Sequence, residues 1–257
     1  MVLSMEKWKG KLAVVTGASY GIGAAVVNAL LDEGVVVAGL ARTADKVKEL
    51  STSTSLHAIK VNLKNEDEII NAFEWITTNL GPISILVNCA GIGRLTNIVN
   101  GDSQMWRDTM DVNFMAVCLT VRETVKNMKA NNIDGHIVNI NSIGGHKIIY
   151  YERCNVQPCS KFALTALAEI LRQELNAMKT KIKISDVSPG FVSTNIFKAM
   201  VYESGGTDEA YESLKNRLDS YPALEAKDIA SAVLYVLSTP PHCQVHELII
   251  KPVGERL

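Results

Sequence analysis

Short apolar runs alternate with longer amphipathic segments along most of the chain. The apolar runs are rich in valine, isoleucine and leucine; they are Leu12–Val15, Val35–Leu40, Leu56–Val61, Ile83–Val87, His136–Ile140, Ile182–Val187 and Glu247–Ile250. Several runs are continuous rather than alternating, which is typical of strands that are buried on both faces. The segments between them predict helices near residues 22–33, 65–79, 103–130, 160–178 and 226–238. This alternation predicts a parallel sheet with helices on both sides.

No composition change divides the chain into separate domains. The 7 prolines are spread thinly, and a length of 257 residues fits one large α/β domain. We therefore expect residues 1–257 to form one domain. The least regular segment covers about residues 191–222 and mixes paired glycines with aromatic side chains. We expect this segment to be an insertion or a mobile cover over a substrate site.

Composition and charge exclude several classes of protein. Lysine and arginine number 26 against 27 acidic residues, for a net charge of −1, so no basic field is available for nucleic acid. No apolar run approaches the roughly 18–20 residues of a membrane span, and the first residues lack an apolar signal core. The 5 cysteines are odd in number and lack CxxC spacing, so neither a disulfide framework nor a metal site is indicated. We expect a cytoplasmic protein.

A glycine-rich loop, Thr16 to Gly23, joins the first strand to the first helix. Glycines permit a tight turn there and let the backbone approach a pyrophosphate, which the N–H groups and the dipole of the following helix attract. The position of the loop at the start of a strand–helix–strand unit makes this interpretation specific. The loop therefore predicts a dinucleotide site. Its expected contacts are Gly17, Ser19, Tyr20, Gly21, Ile22 and Gly23.

The end of the second strand predicts which nicotinamide cofactor binds. An acidic residue at that position would bind the ribose 2′-hydroxyl of NAD, but this chain has Leu40-Ala41-Arg42-Thr43. Arg42 can hold a 2′-phosphate through a forked, charge-assisted contact, and Thr43 adds a hydroxyl. The sequence therefore predicts NADP(H) rather than NAD(H).

Further motifs follow in order along the chain. They are Asn88-Cys89-Ala90-Gly91, Asn113, Ser142, Ser160-Lys161 and Ser188-Pro189-Gly190. Together with the glycine loop they resemble the short-chain dehydrogenase/reductase superfamily, from about Trp8 to Ile250. The stretches 161–175 and 232–240 resemble the group of dehydrogenase/reductase member 11 and insect farnesol-dehydrogenase-like proteins. The resemblance implies a single-domain Rossmann fold, with a doubly wound, mostly parallel seven-stranded sheet in the order 3-2-1-4-5-6-7.

The resemblance also implies cofactor contacts beyond the glycine loop and Arg42. Asn62 stands where the family usually has an Asp that touches the adenine, and Val192 and Thr194 match positions that hold the carboxamide. The remaining implied cofactor residues are Leu63, Asn88, Ala90, Gly91, Lys161, Pro189 and Gly190.

One position of the implied catalytic set departs from the family. The family uses Asn, Ser, Tyr and Lys, and the Tyr, which transfers the proton, lies one helical turn before the Lys. Asn113, Ser142 and Lys161 match this set, but Gln157 stands four residues before Lys161. Glutamine can donate a hydrogen bond but has no proton that ionises near neutral pH. Loss of a general acid typically costs about 10²–10⁴ in rate.

Three interpretations of Gln157 stay open. In the first, the chain is a weak or unusual oxidoreductase in which a water or another group, such as Tyr150, Tyr151 or His146, supplies the proton. Alternatively, it is a pseudoenzyme that binds NADP(H) and acts by binding or regulation. In the third interpretation, the glutamine was engineered into an ordinary enzyme. We favour retained redox chemistry on a CH–OH group.

The substrate and the assembly are expected from the cover segment and the long helices. Phe191, Ile196, Phe197, Met200 and Tyr202 favour a small lipophilic alcohol, ketone or aldehyde. Family members commonly pair through the two long helices, so we expect a homodimer or a homotetramer.

Overall fold

Seven strands form one parallel sheet in the computed structural model, which describes residues 3–148, 153 and 156–255. The strands are β1 (Leu12–Thr16), β2 (Val36–Ala41), β3 (Leu56–Lys60), β4 (Ile83–Asn88), β5 (His136–Ile140), β6 (Lys183–Pro189) and β7 (Glu247–Ile250). They pair in the order β3-β2-β1-β4-β5-β6-β7, and every pairing is parallel. This single-domain Rossmann fold confirms the expected fold class and strand order.

Helices cover both faces of the sheet. They are α1 (Gly21–Asp32), α2 (Ala44–Lys48), α3 (Glu66–Asn79), α4 (Ser103–Met110), α5 (Ala116–Ala130), α6 (Val156–Ala177), α7 (Ile196–Tyr202), α8 (Asp208–Leu218) and α9 (Ala226–Ser238). Helices α1 and α9 pack on one face, and α3, α5 and α6 pack on the other. Within the described residues, no helix combines the length and the apolar character that crossing a membrane requires.

The continuous apolar runs mark strands that are covered on both faces. In β1, Ala13 and Val15 contribute to the core beneath α1 and α9, whereas Leu12 and Val14 contribute to the core beneath α3, α5 and α6. Every residue of β1 is buried. Burial on both faces explains why the run has no polar alternation.

The predicted helix over 103–130 is interrupted. Residues Asp111–Met115 form a π-helical turn between α4 and α5. Asn113 lies at its centre and bonds through its side chain to both backbone groups of Ile92, at 2.8 and 2.9 Å. Single π turns of this kind occur often at functional sites. The hydrophobic pattern did not reveal this one.

The cover segment, residues 191–222, is more regular than expected, because it contains α7 and α8. The Thr207 side chain caps α8, whose first turn is acidic and whose last turn contains Lys215 and Arg217. These charges suit the helix dipole. A parallel bridge joins Val192, at the start of the segment, to Leu224, two residues after its end.

Candidate cofactor and substrate site

The glycine loop between β1 and α1 has a shape that only glycine allows. Gly17 and Gly21 have φ angles of +67° and +56°. A Cβ on Gly23 would lie 2.2 Å from the carbonyl oxygen of Gly17, and a Cβ on Gly17 would lie 2.7 Å from the Cα of Ala90. The loop therefore packs tightly against the chain after β4 and presents the N-terminus of α1 to whatever binds in front of it.

A cleft of about 610 Å³ opens in front of this loop, at the carboxyl ends of the strands. The strand order reverses between β1 and β4, the place where open α/β sheets bind ligands. The predicted cofactor residues that line the cleft are Gly17, Ser19, Tyr20, Gly21, Ile22, Gly23, Arg42, Thr43, Asn62, Leu63, Ala90, Gly91 and Thr194. The Oδ1 of Asn62 accepts a hydrogen bond from the backbone N–H of Lys64 at 3.2 Å.

The far end of the cleft carries charged residues that sequence reasoning missed. Besides Arg42, the cleft is lined by Lys64, Arg94 and Glu203. Sequence patterns gave no signal for these residues, because they come from separate loops and meet only in the fold. Arg42, Lys64 and Arg94 are cations and Glu203 is an anion among them, while the glycine loop provides the close backbone approach that a pyrophosphate needs.

Asn88 lies behind the cleft rather than in its wall. Its Oδ1 accepts a hydrogen bond from Thr120 at 2.8 Å, and its Nδ2 donates to Asn139 at 3.0 Å. Asn139 in turn donates to the buried carboxyl of Asp186 at 3.0 Å. These contacts tie β4 to α5, β5 and β6, so the side chain of Asn88 braces the sheet.

An inner cavity of about 240 Å³ adjoins the cleft, and both share wall residues such as Gly91 and Thr194. All four predicted catalytic residues line it, although only two of them lie on the same helix. These residues are Asn113, Ser142, Gln157 and Lys161. The predicted cofactor residues Pro189, Gly190 and Val192 line the same cavity. The fold thus brings the predicted catalytic set and the end of the cofactor cleft together.

Both polar atoms of the Asn113 side-chain amide form hydrogen bonds within the protein. Its Oδ1 accepts from the N–H of Ile92, and its Nδ2 donates to the Ile92 carbonyl and to Ser160 Oγ, the latter at 3.0 Å. Ser160 Oγ donates to the carbonyl of Gln157 at 2.6 Å. Asn113 therefore links the π turn to the first turns of α6, where Gln157 and Lys161 lie.

Ser142 and Lys161 present polar groups to the inner cavity. Ser142 Oγ accepts a hydrogen bond from the N–H of Gly144 at 3.0 Å, so its O–H can still donate to an oxygen in the cavity. Lys161 is buried, and its Nζ donates to the carbonyl of Ile140 at 2.9 Å. Burial lowers the pKa of Lys161 to about 8 and raises the pKa of Asp186 to about 7.

Gln157 lies one helical turn before Lys161 on α6, half-buried in the cavity wall. Of the alternative proton donors, Tyr150 and Tyr151 lie outside the described residues. The imidazole of His146 is directed elsewhere: its Nε2 lies 3.0 Å from both Ser188 Oγ and Glu247 Oε1. It therefore belongs to a polar group on β6 and β7.

The cover segment closes the inner cavity with apolar side chains. The rings of Phe191 and Phe197 pack against each other at a tilt of 57°, with their centroids 5.5 Å apart, and Ile196 and Met200 line the same wall. Tyr202 was expected here but is exposed, because its hydroxyl donates to Asp208 at 2.6 Å outside the cavity. The wall also contains polar residues that sequence reasoning missed, Arg217 and Glu255.

Comparison with known proteins agrees with this geometry. The family model described as short chain dehydrogenase matches residues 11–204. The chain belongs to the short-chain dehydrogenase family.

Family relatives match over nearly the full length. A farnesol dehydrogenase from Aedes aegypti is 42% identical, over 98% of this chain and 100% of the relative. The dehydrogenase/reductase SDR family member 11 of Gallus gallus is 40% identical, over 98% of this chain and 99% of the relative. The expected resemblance to this group is therefore confirmed.

A solved structure of a serine dehydrogenase complexed with NADP+ has the same fold, with a TM-score of 0.84 over 96% of both chains and 23% identity. This likeness confirms the architecture. As a short-chain dehydrogenase, the chain is an oxidoreductase by family.

Proposed function

We propose that this protein transfers a hydride between NADP(H) and a small lipophilic alcohol, ketone or aldehyde. The observation that carries the proposal is the meeting of two cavities. A cleft with the glycine loop and Arg42 adjoins an apolar inner cavity that presents Ser142 and Lys161. NADP(H) would supply or accept the hydride, while the protein supplies orientation and the polar groups around the reacting oxygen.

Each of these residues has a separate task in the proposed reaction. Arg42 and Thr43 hold the 2′-phosphate, since the end of β2 carries no carboxylate that would repel it. Lys161 binds the nicotinamide ribose as a buried donor. The Ser142 hydroxyl orients the substrate oxygen, and Gln157 polarises it through a side-chain N–H.

Proton transfer is the slow step of the proposed reaction. Glutamine cannot release a proton, so Gln157 lowers the rate by about 10²–10⁴ relative to a tyrosine at that position. Positioning of the substrate beside the cofactor leaves residual turnover. A slow NADP(H)-dependent oxidoreductase is the expected behaviour.

A second candidate function rests on Gln157. A protein that binds NADP(H) and a lipophilic ligand without turnover needs the cleft and the apolar cavity, but not a proton donor. Gln157 is the observation that favours this binding or regulatory role. Lys161 and Ser142 fit either function, because each can hold a ligand without chemistry.

The substrate class is inferred from the cavity wall and from the relatives. Phe191, Ile196, Phe197 and Met200 form an apolar surface, and burial of apolar area is the main source of affinity for such a ligand. The Aedes aegypti relative bears the name farnesol dehydrogenase, which makes isoprenoid alcohols and aldehydes the first compounds to try.

A substrate panel tests the proposal. The full chain is mixed with NADPH and with lipophilic ketones, isoprenoid aldehydes or polar sugars, and the loss of nicotinamide absorbance is followed. We expect slow oxidation of NADPH with the lipophilic carbonyls and none with the sugars. NADPH binding without any turnover would favour the second candidate, and faster turnover of sugars would contradict the substrate class.

We also propose a cytoplasmic homodimer or homotetramer. Exposed apolar side chains lie at Met115, just before α5, and at Phe162 and Ile170 along α6. A second copy would remove this apolar surface from water, which is the usual basis of a symmetric interface. Within the described residues, Cys89, Cys118 and Cys243 form no disulfide, which agrees with a reducing location.

A further inference from the structure

Glu203 places one carboxylate between two arginines of the cofactor cleft. It directly follows α7, and its Oε1 lies 3.2 Å from Nη2 of Arg42 at the end of β2. Its Oε2 lies 2.7 Å from Nη2 of Arg94 in the loop after β4. The cover segment therefore reaches the arginine that is expected to hold the 2′-phosphate.

The two arginines differ in how firmly they are held. The Arg94 side chain is only 9% exposed and also donates to the carbonyl of Gly93 at 3.0 Å, whereas the Arg42 side chain is 64% exposed. Next to Glu203, Ser204 Oγ accepts a hydrogen bond from the N–H of Leu95 at 2.9 Å. Glu203 is thus fixed by Arg94 and by its neighbour, while Arg42 can turn to another anion.

The remaining charges around this carboxylate are nearly balanced. Lys64 Nζ pairs with Asp108 at 2.8 Å, and Arg94 lies 4.0 Å from the same carboxylate. Glu203 and Asp108 therefore neutralise much of the positive charge of Arg42, Lys64 and Arg94. An incoming 2′-phosphate therefore meets an arginine that already has a carboxylate partner 3.2 Å away.

We propose that Glu203 weakens NADP(H) binding relative to NAD(H), by competing with the 2′-phosphate for the guanidinium of Arg42. Glu203 is in this account a specificity-determining residue of the cover segment. NAD(H) has a hydroxyl in place of that phosphate, so its binding leaves the contact between Glu203 and Arg42 intact. The inference rests on the proposed function, because it assumes that Arg42 receives the 2′-phosphate.

Dinucleotide affinity measured without turnover tests the inference. NADPH and NADH are titrated by nicotinamide fluorescence into the full chain and into Glu203→Gln, which keeps the side-chain size. Glu212→Gln is the matched control, because it removes one charge from the same cover segment, on α8 and outside the cleft wall. Arg42→Ala and the double variant complete a thermodynamic cycle.

The inference predicts a change for one cofactor only. Glu203→Gln binds NADPH about fivefold more tightly, as expected for one partly exposed ion pair, while its NADH affinity changes less than about twofold. The control leaves both affinities unchanged, and in the Arg42→Ala background the gain disappears. Equal tightening of both cofactors, or an unchanged or weaker NADPH affinity, would overturn the inference while leaving the proposed function intact. If the wild-type chain binds neither dinucleotide, the proposed function fails, and this inference fails with it.

Discussion

The Nζ of Lys161 donates a 2.9 Å hydrogen bond to the carbonyl oxygen of Ile140, the last residue of β5. This contact fixes a buried cation beside the inner cavity, one turn after Gln157 on the same helix. The lysine therefore occupies a defined position even though the side chain before it cannot transfer a proton. The cavity therefore has a fixed cation beside Gln157, a side chain that has no ionisable proton near neutral pH.

The burial of Lys161 predicts how stability depends on pH. Its pKa is lowered from 10.5 to about 8, so between these values the unfolded chain binds more protons than the folded chain. The contribution of Lys161 to the free energy of unfolding is therefore lowest below pH 8 and rises as the pH increases toward 10.5. Lys161→Met removes this rise, by at most about 3 kcal/mol. Urea unfolding at both ends of this range measures it, with the exposed Lys129→Met as control; equal slopes in wild type and Lys161→Met would contradict the expectation.

His136 predicts a loss of stability in acid. The imidazole is fully buried in β5, where its Nε2 lies 2.9 Å from Ser185 Oγ, and burial lowers its pKa from 6.5 to about 3. The unfolded chain binds the proton first, so this contribution is lost as the pH falls from about 6.5 to about 3. His136→Leu should show a shallower acid dependence in denaturant melts. The exposed His242→Leu serves as control and should keep the wild-type dependence.

The glycine loop predicts a local effect on cofactor binding. In Gly23→Ala the added Cβ would lie 2.2 Å from the Gly17 carbonyl, so the loop must shift where the pyrophosphate is expected. We expect NADPH affinity to fall at least about tenfold, with about 1–3 kcal/mol of destabilisation. Ala24→Gly is the control: it destabilises the helix by about 1 kcal/mol without adding an atom to the loop, so its NADPH affinity should stay at the wild-type value. Unchanged NADPH binding by Gly23→Ala would show that the cofactor lies elsewhere.

Arg42 predicts cofactor selectivity. A hydrogen bond to a charged group contributes about 1.5–3 kcal/mol, so Arg42→Ala should weaken NADPH binding by about 10- to 100-fold and leave NADH binding nearly unchanged. Lys46→Ala is the control, because that lysine lies close along the chain, pairs with Glu49 and is not part of the cleft wall. Parallel titrations with the two cofactors give the comparison. An equal loss of affinity for NADPH and NADH would mean that Arg42 does not contact the 2′-phosphate.

Much of the fold was predictable because the sheet is buried on both faces. The runs His136–Ile140 and Glu247–Ile250 match β5 and β7 at both ends. Other observed boundaries differ from the predicted ones by a few residues. The helix predicted to begin at residue 160, for example, begins at Val156 in the described chain. The π turn was not predictable, because the contact between Asn113 and Ile92 depends on tertiary structure.

The candidate site was predictable only where local motifs exist. The glycine loop and the residues around Lys161 have fixed spacings, and the fold brings them to the same two cavities. Arg94, Glu203 and Glu255 line those cavities without any local motif, because three distant segments meet there. The cover segment appeared irregular because α7 has only 7 residues and α8 is largely polar, so neither gives a clear helical pattern of apolar positions.

Replacement of Gln157 tests the central claim most directly. Gln157→Tyr restores an ionisable hydroxyl, and Gln157→Phe supplies the ring without it, so the pair separates proton transfer from packing. Each variant and the wild-type chain are titrated with NADPH and then assayed with the same lipophilic ketones. We predict similar NADPH affinities, with turnover by Gln157→Tyr at least about 10²-fold above both wild type and Gln157→Phe. Comparable turnover by wild type and Gln157→Tyr would contradict the account, because another group would then be supplying the proton.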